Sequence, residues 1–196
     1  MSVPDILKAI QPVARAFHDL AVSYYVGGSV ASSAYGRARA TLDVDVVADL
    51  KEEHVEPLVR RLGSEYYIDG GMVLDAVERR SSFNVVHLPT MIKVDVFVLK
   101  TRNYDQEAMR RKKIDTLDEE HGSAQVYLAS PEDLILNKLE WFRLGWEVSE
   151  RQWGDVLGVI KVQGESLDRG YLKHWAVQLG LSDLLERAFR EAGVVL

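Results

Sequence analysis

Leu42-Asp43-Val44-Asp45-Val46-Val47 alternates polar and apolar residues with a period of two. That is the pattern of a β-strand with two distinct faces, and it puts both aspartates on one of them. Side chains at i and i+2 of a strand stand roughly 6.5 Å apart and point the same way. Their oxygens can converge on cations spaced about 3.5–4 Å apart. The apolar flanks make this an interior strand, where adjacent like charges are costly unless a cation or a proton neutralises them. Polar residues also alternate on any half-exposed strand, so the pair alone does not decide the chemistry.

Its surroundings narrow the choice. Upstream, Ser23 to Val26 is a short β-rich run ending at Gly27-Gly28-Ser29, and Val30 to Tyr35 is small and apolar enough to be a helix behind that turn. A bare Gly-Gly-Ser is just a turn, but strand, glycine turn and helix together can make an anion site. Glycine lets the main chain approach an anion closely, Ser29 adds a hydroxyl, and the helix directs N–H groups and the positive end of its dipole at a phosphate. Downstream, Asp95 interrupts the apolar run Ile92-Lys93-Val94-Asp95-Val96-Phe97-Val98. Ionised side chains are rare in such strands unless they ligate a metal or pair with a neighbouring Lys or Arg.

The rest of the chain supplies a frame. Ile6, Leu7, Ile10, Val13, Ala14, Phe17 and Leu20 recur at helical spacing, and Pro12 predicts a break or kink among them, giving one or two short helices. Glu53 to Leu62 reads as a helix, Glu65 to Ile68 as a short strand, and Phe83 to His87 and Met91 to Leu99 as strands joined through Pro89-Thr90. A helix over Tyr104 to Lys113 and a strand over Gln125 to Leu128 follow. The composition then turns helical at Pro131 to Leu144, Ser149 to Val162, Leu167 to Leu179 and Ser182 to Ala192, with Gly145, Gly164 and Gly180 as stops. The expected class is α+β: a mixed β-sheet flanked by helices over residues 1–129, and a helical C-terminal region over 130–196 packed on it and closing the cleft.

Composition bounds the function. The chain has no cysteine, which excludes disulfides, thiolate metal sites and a cysteine nucleophile, so any metal must take oxygen or imidazole ligands. That favours a hard cation. A formal charge of −6 argues against coating nucleic acid by bulk attraction. Arg110-Arg111-Lys112-Lys113 is the densest basic run, and it reads as a solvated helix face. Charged residues interrupt the first twenty positions, and no later stretch is long and apolar enough for a membrane span, so a cytoplasmic location with no membrane partner is expected.

Val26-Gly27-Gly28-Ser29, Arg39-Ala40-Thr41-Leu42-Asp43-Val44-Asp45 and Lys93-Val94-Asp95-Val96 together resemble the signature of the polymerase-beta-like nucleotidyltransferase superfamily. The interval from the glycine pair to Asp43 is at the long end of that pattern. Ser130-Pro131-Glu132-Asp133-Leu134-Ile135-Leu136-Asn137-Lys138-Leu139 with the later Asp155 is similar to the bacterial branch of abortive-infection (AbiEii/AbiGii) type toxin nucleotidyltransferases. The resemblance covers residues 20–160. It implies transfer of a nucleoside monophosphate from a nucleoside triphosphate (NTP) to an acceptor hydroxyl, dependent on Mg2+ or Mn2+. Asp43, Asp45 and Asp95 would hold the metal. Gly27, Gly28, Ser29, Arg39, Thr41 and Asp155 would serve the nucleotide, with Arg39 either steadying a phosphate or bridging to an aspartate. Lys138 falls within the apolar arc of its helix formed by Leu134, Ile135, Leu139, Trp141 and Phe142. Its stem either covers apolar surface, or its ammonium serves the triphosphate. The acceptor implied is a transfer RNA end or a protein, in a toxin neutralised by a cognate antitoxin. An antibiotic-modifying enzyme and a non-catalytic nucleotide- or partner-binding protein are the competing readings.

Overall fold

The computed structural model describes residues 3–36, 41, 43–116 and 125–196. The strands are β1 (Tyr24–Val26), β2 (Asp43–Ala48), β3 (Tyr66–Tyr67), β4 (Ser82–His87), β5 (Ile92–Val98), β6 (Lys113–Thr116) and β7 (Gln125–Leu128). The helices are α1 (Val3–Asp19), α2 (Gly28–Tyr35), α3 (Glu52–Leu62), α4 (Gly70–Arg79), α5 (Asn103–Arg111), α6 (Pro131–Leu144), α7 (Glu150–Gln163), α8 (Arg169–Leu179) and α9 (Ser182–Ala192). The chain divides into two compact units, one of Met1–Val30 with Ala40–Leu128 and one of Ala31–Arg39 with Ala129–Leu196.

The first unit is built on one mixed seven-stranded sheet in the order β3-β4-β5-β2-β1-β7-β6. Central β2 pairs parallel with β5 and antiparallel with β1. Strict alternation controls what these strands expose. Val44, Val46 and Ala48 are buried while Asp43, Asp45 and Val47 are half-buried, and β5 repeats the pattern with Val94, Val96 and Val98 against Lys93, Asp95 and Phe97. The apolar side chains are driven to one face and the charged ones are left on the other. Helix α1 packs on β5 and α3, burying Ala9, Ile10, Val13 and Phe17. The Phe17 ring lies 5.5 Å from that of Tyr24, the register partner of Ala48, so α1 covers the apolar face.

Of the one or two helices expected, the structure has one: α1 runs through Pro12 without a break. Proline removes a single hydrogen bond, the one to the carbonyl of Lys8, and Lys8 lies on the exposed side of the helix. The packing of Ile10, Val13 and Phe17 holds the turns on either side. Two further elements escape the sequence pattern: α4, capped by Asp69 accepting from Met72 N at 2.8 Å, and β6, which pairs antiparallel with β7.

The second unit packs α6 on α7 and α8, and α9 on α7 and α8. Its core holds Leu134, Ile135, Leu139, Phe142, Val156, Val159, Ile160, Leu172, Leu185 and Phe189. Ser130, Ser149 and Asp168 cap their helices by accepting from the backbone three residues on. Gly145, Gly164 and Gly180 follow α6, α7 and α8 as stops, the last two at φ of 47° and 68°. Trp141 departs from the apolar arc expected of α6: it is exposed, and the arc is completed instead by Leu136. Among the described residues, no helix is long and apolar enough to cross a membrane.

Candidate active site

The register of β2 and β5 brings the three aspartates together. Asp45 is the partner of Asp95 and Asp43 is the partner of Lys93. Paired residues of neighbouring parallel strands share a face and lie about 4.8 Å apart. Asp43, Asp45, Lys93 and Asp95 therefore form one polar quartet on the face opposite α1, as the alternation of each strand requires.

The glycine turn is welded to this quartet through Asp45. Gly27 N donates to the carbonyl of Asp45 at 2.9 Å, extending the β1–β2 ladder by one bond. Gly28 then takes φ +53°, the left-handed region that side chains disfavour, and opens α2. A Cβ at this position would collide with the carboxylate of Asp45, reaching 2.6 Å from its Cγ and 2.9 Å from its Cβ. The backbone of the turn thus lies against the carboxylate with no room between them. Ser29, next on α2, is buried.

Thr41 is also buried, and its hydroxyl donates to Oδ1 of Asp43 at 2.7 Å. This fixes the Asp43 carboxylate from the strand entrance, a positioning contact separate from the nucleotide contact that the sequence suggests. Arg39 lies outside the described residues. Asp95 is paired: Lys93 Nζ stands 2.7 Å from its Oδ2. That hydrogen bond, reinforced by the fields of Asp95, Asp43 and Asp45, holds the Lys93 ammonium above the usual lysine range against a weaker opposing effect of burial. Sequence reading weighed a neighbouring Lys or Arg for Asp95 without naming it. The signal was the i, i+2 spacing of Lys93 and Asp95 on one strand.

In the second unit, Lys138 and Asp155 form an ion pair, with Nζ to Oδ2 at 2.8 Å and each side chain only 10% exposed. Beside it in sequence, Asp133 accepts from Ser130 Oγ and from Tyr171 OH, both at 2.6 Å, and Glu132 accepts from the backbone of Asp168 at 2.9 Å. The charged residues opening α6 are thus held by specific partners.

Among the described residues, no three His, Asp or Glu side chains form a ready metal-holding cluster. The donor set still suits one kind of ion. Three carboxylates on adjacent strands offer oxygen ligands to a hard cation, and Mg2+ keeps several waters and relies on one or two carboxylates plus substrate phosphates. The carboxylates would be the ligands of such a cation, and the N–H groups of the glycine turn are of the kind that an anion requires.

No family model matches the sequence, and no curated protein matches it. Solved structures do. The fold is similar to that of an antigenic nucleotidyltransferase-like protein from Paracoccidioides brasiliensis, at TM-score 0.54 and 14% identity, over 97% of this chain and 94% of that one. It is similar also to the antibiotic-resistance factor ANT(2'')-Ia, at TM-score 0.58 and 11% identity, over 95% of this chain and 99% of that one. The likeness covers nearly the whole of this chain and is one of fold.

Proposed function

We propose that this protein is a metal-dependent nucleotidyltransferase, which moves a nucleoside monophosphate from an NTP to an acceptor hydroxyl and releases pyrophosphate. The observation that carries the reading is the contact of Gly28 with Asp45. It joins a turn able to hold phosphates directly to a carboxylate that shares its face with Asp43 and Asp95. A binding module gains nothing from three like charges placed together; a phosphoryl-transfer site does.

Gly27, Gly28 and Ser29 hold the phosphates. Asp43, oriented by Thr41, and Asp45 hold Mg2+ or Mn2+, with Asp95 completing the set. A divalent cation held by these residues would supply charge against the triphosphate and acidify the acceptor hydroxyl. The hydroxyl oxygen attacks the α-phosphorus, Asp95 takes its proton, and the bond to the pyrophosphate oxygen breaks. Arg39 steadies a phosphate in this scheme. For Lys138, ion-paired with Asp155, the resemblance implies a role toward the triphosphate.

For the acceptor we favour a transfer RNA end or a protein, in a toxin held by a cognate antitoxin, because residues 130–139 are similar to the toxin branch. The fold shared with an antibiotic-resistance factor supports a second reading, a small-molecule acceptor. One experiment tests both. The protein is incubated with each α-labelled NTP and Mg2+, alongside total RNA, lysate protein, aminoglycosides and lincosamides. Label is expected on one acceptor class and lost in Asp43→Ala, Asp45→Ala and Asp95→Ala. No transfer to any acceptor, together with no binding of nucleotide, would refute the proposal.

A further inference from the structure

Asp43, Asp45 and Asp95 share one sheet face, and among the described residues Lys93 places an ammonium beside them. Lys93 is two residues from Asp95 on β5 and is the register partner of Asp43 on β2. Its Nζ closes on Asp95 Oδ2 at 2.7 Å while the lysine side chain remains 46% exposed and the aspartate 20%. The ammonium therefore has a water-side route away from the carboxylate. A half-exposed pair of this kind holds weakly, typically at or below about 1 kcal/mol.

We propose that Lys93 is a resident counter-cation, whose ammonium holds Asp95 in the metal-free protein at the position that the divalent ion takes when nucleotide binds. The inference rests on the nucleotidyltransferase reading and gives it a further positioning residue. Without a cation the three carboxylates repel one another and turn outward. With Lys93 in place they stay on their face, and an incoming divalent ion must displace one ammonium. Lysine suits that exchange: its charge is compact, with three donors on a flexible stem, whereas a guanidinium would grip the carboxylate through two parallel bonds. Lys93 thereby keeps metal affinity low until the nucleotide brings its own negative charge to the site.

The test is Mn2+ binding, followed by the electron paramagnetic resonance signal of the free ion, with and without a non-hydrolysable NTP analogue. It compares the wild type with Lys93→Met and Lys93→Arg. Removing the unit charge that the ion must displace is expected to tighten Mn2+ binding to Lys93→Met about tenfold. Lys93→Arg should bind no more tightly than the wild type. Thermal melting in a chelator is a second readout: Lys93→Met should melt below the wild type and gain more than it does when Mn2+ is added. Should Lys93→Met not fold, Lys93→Gln takes its place. Equal Mn2+ affinity in the wild type and the neutral variant would overturn the counter-cation role and leave the nucleotidyltransferase reading standing. If none of the proteins bound Mn2+ even with the analogue, both would fall.

Discussion

Gly28 is the residue whose substitution probes the candidate site with least ambiguity. Gly28→Ala places a methyl group where Asp45 already lies, 2.6 Å from its Cγ and 2.9 Å from its Cβ. Turning the carboxylate alone cannot relieve the contact with Cβ, so β2 or the turn must shift. The backbone opposes the change as well, since φ +53° costs a residue with a side chain roughly 1–2 kcal/mol. Overpacking adds about 1–3 kcal/mol. The sum, about 2–5 kcal/mol, corresponds to a fall of roughly 4–20 °C in melting temperature for a chain of this size. Transfer should fall further, because a reacting group misplaced by about 1 Å loses on the order of 100-fold. Gly27→Ala is the control. Its Cβ would meet nothing nearer than Cε2 of Tyr25 at 3.9 Å, and its backbone N–H to Asp45 is kept. Melting by circular dichroism and transfer of label from an NTP would be measured on both. If Gly28→Ala melted and transferred like Gly27→Ala, the close contact of turn and carboxylate would not be part of the site.

Thr41→Val removes the hydroxyl that holds Asp43 at 2.7 Å and keeps the side chain's shape. A hydrogen bond to a charged group contributes roughly 1.5–3 kcal/mol, so kcat should drop about 10- to 100-fold with little change in melting; an unchanged kcat would limit Thr41 to packing. Lys138→Met removes the ammonium from a pair only 10% exposed on each side, and it should cost about 3–5 kcal/mol in urea unfolding. Adding Asp155→Asn should return part of that loss; additive losses would show that the two do not couple. His87 is buried, hydrogen-bonded to Thr90, and held below its ordinary value of 6.5, foremost by burial. The unfolded chain then binds the proton more readily, so this group subtracts stability as pH falls below about 6.5 toward the lowered native value. His87→Gln should show a smaller loss of urea midpoint than the wild type between pH 7.5 and pH 5.5, and parallel curves would refute the assignment.

What the sequence reveals depends on whether an element's pattern is local. Strands β2 and β5 carry their faces in their own alternation, and α6 to α8 are bounded by caps and glycines that act within a turn. Helix α4 is masked by Gly70 and Gly71 in its first turn, residues that favour turns in isolation; the Asp69 cap and the burial of Val73 and Ala76 outweigh them. Strand β6 follows Arg110, Arg111 and Lys112, and the charge run reads as a helix face carried on to Lys113. Pairing with β7, a tertiary effect, makes Lys113–Thr116 an edge strand. Lys112 itself is not simply solvated. Its ammonium lies 4.9 Å from the centre of the Tyr127 ring, and partial burial lowers its pKa.

The same division runs through the candidate site. Residue types and spacings single out Asp43, Asp45 and Asp95, because each interrupts an apolar strand. The meaning of each depends on a partner that only the fold supplies: Thr41 for Asp43, the bare backbone of Gly28 for Asp45, and Lys93 for Asp95. These three contacts differ in kind, and so do their consequences. A hydrogen bond orients, a steric contact admits no alternative side chain, and an exposed ion pair yields to a competing cation. Two of the carboxylates are therefore fixed before any ligand arrives, and the third is held by a charge that can leave. In the proposed enzyme, a site built in this way would take its metal at Asp43 and Asp45 first. Asp95 would then be released for proton transfer only when the second positive charge is delivered with the nucleotide.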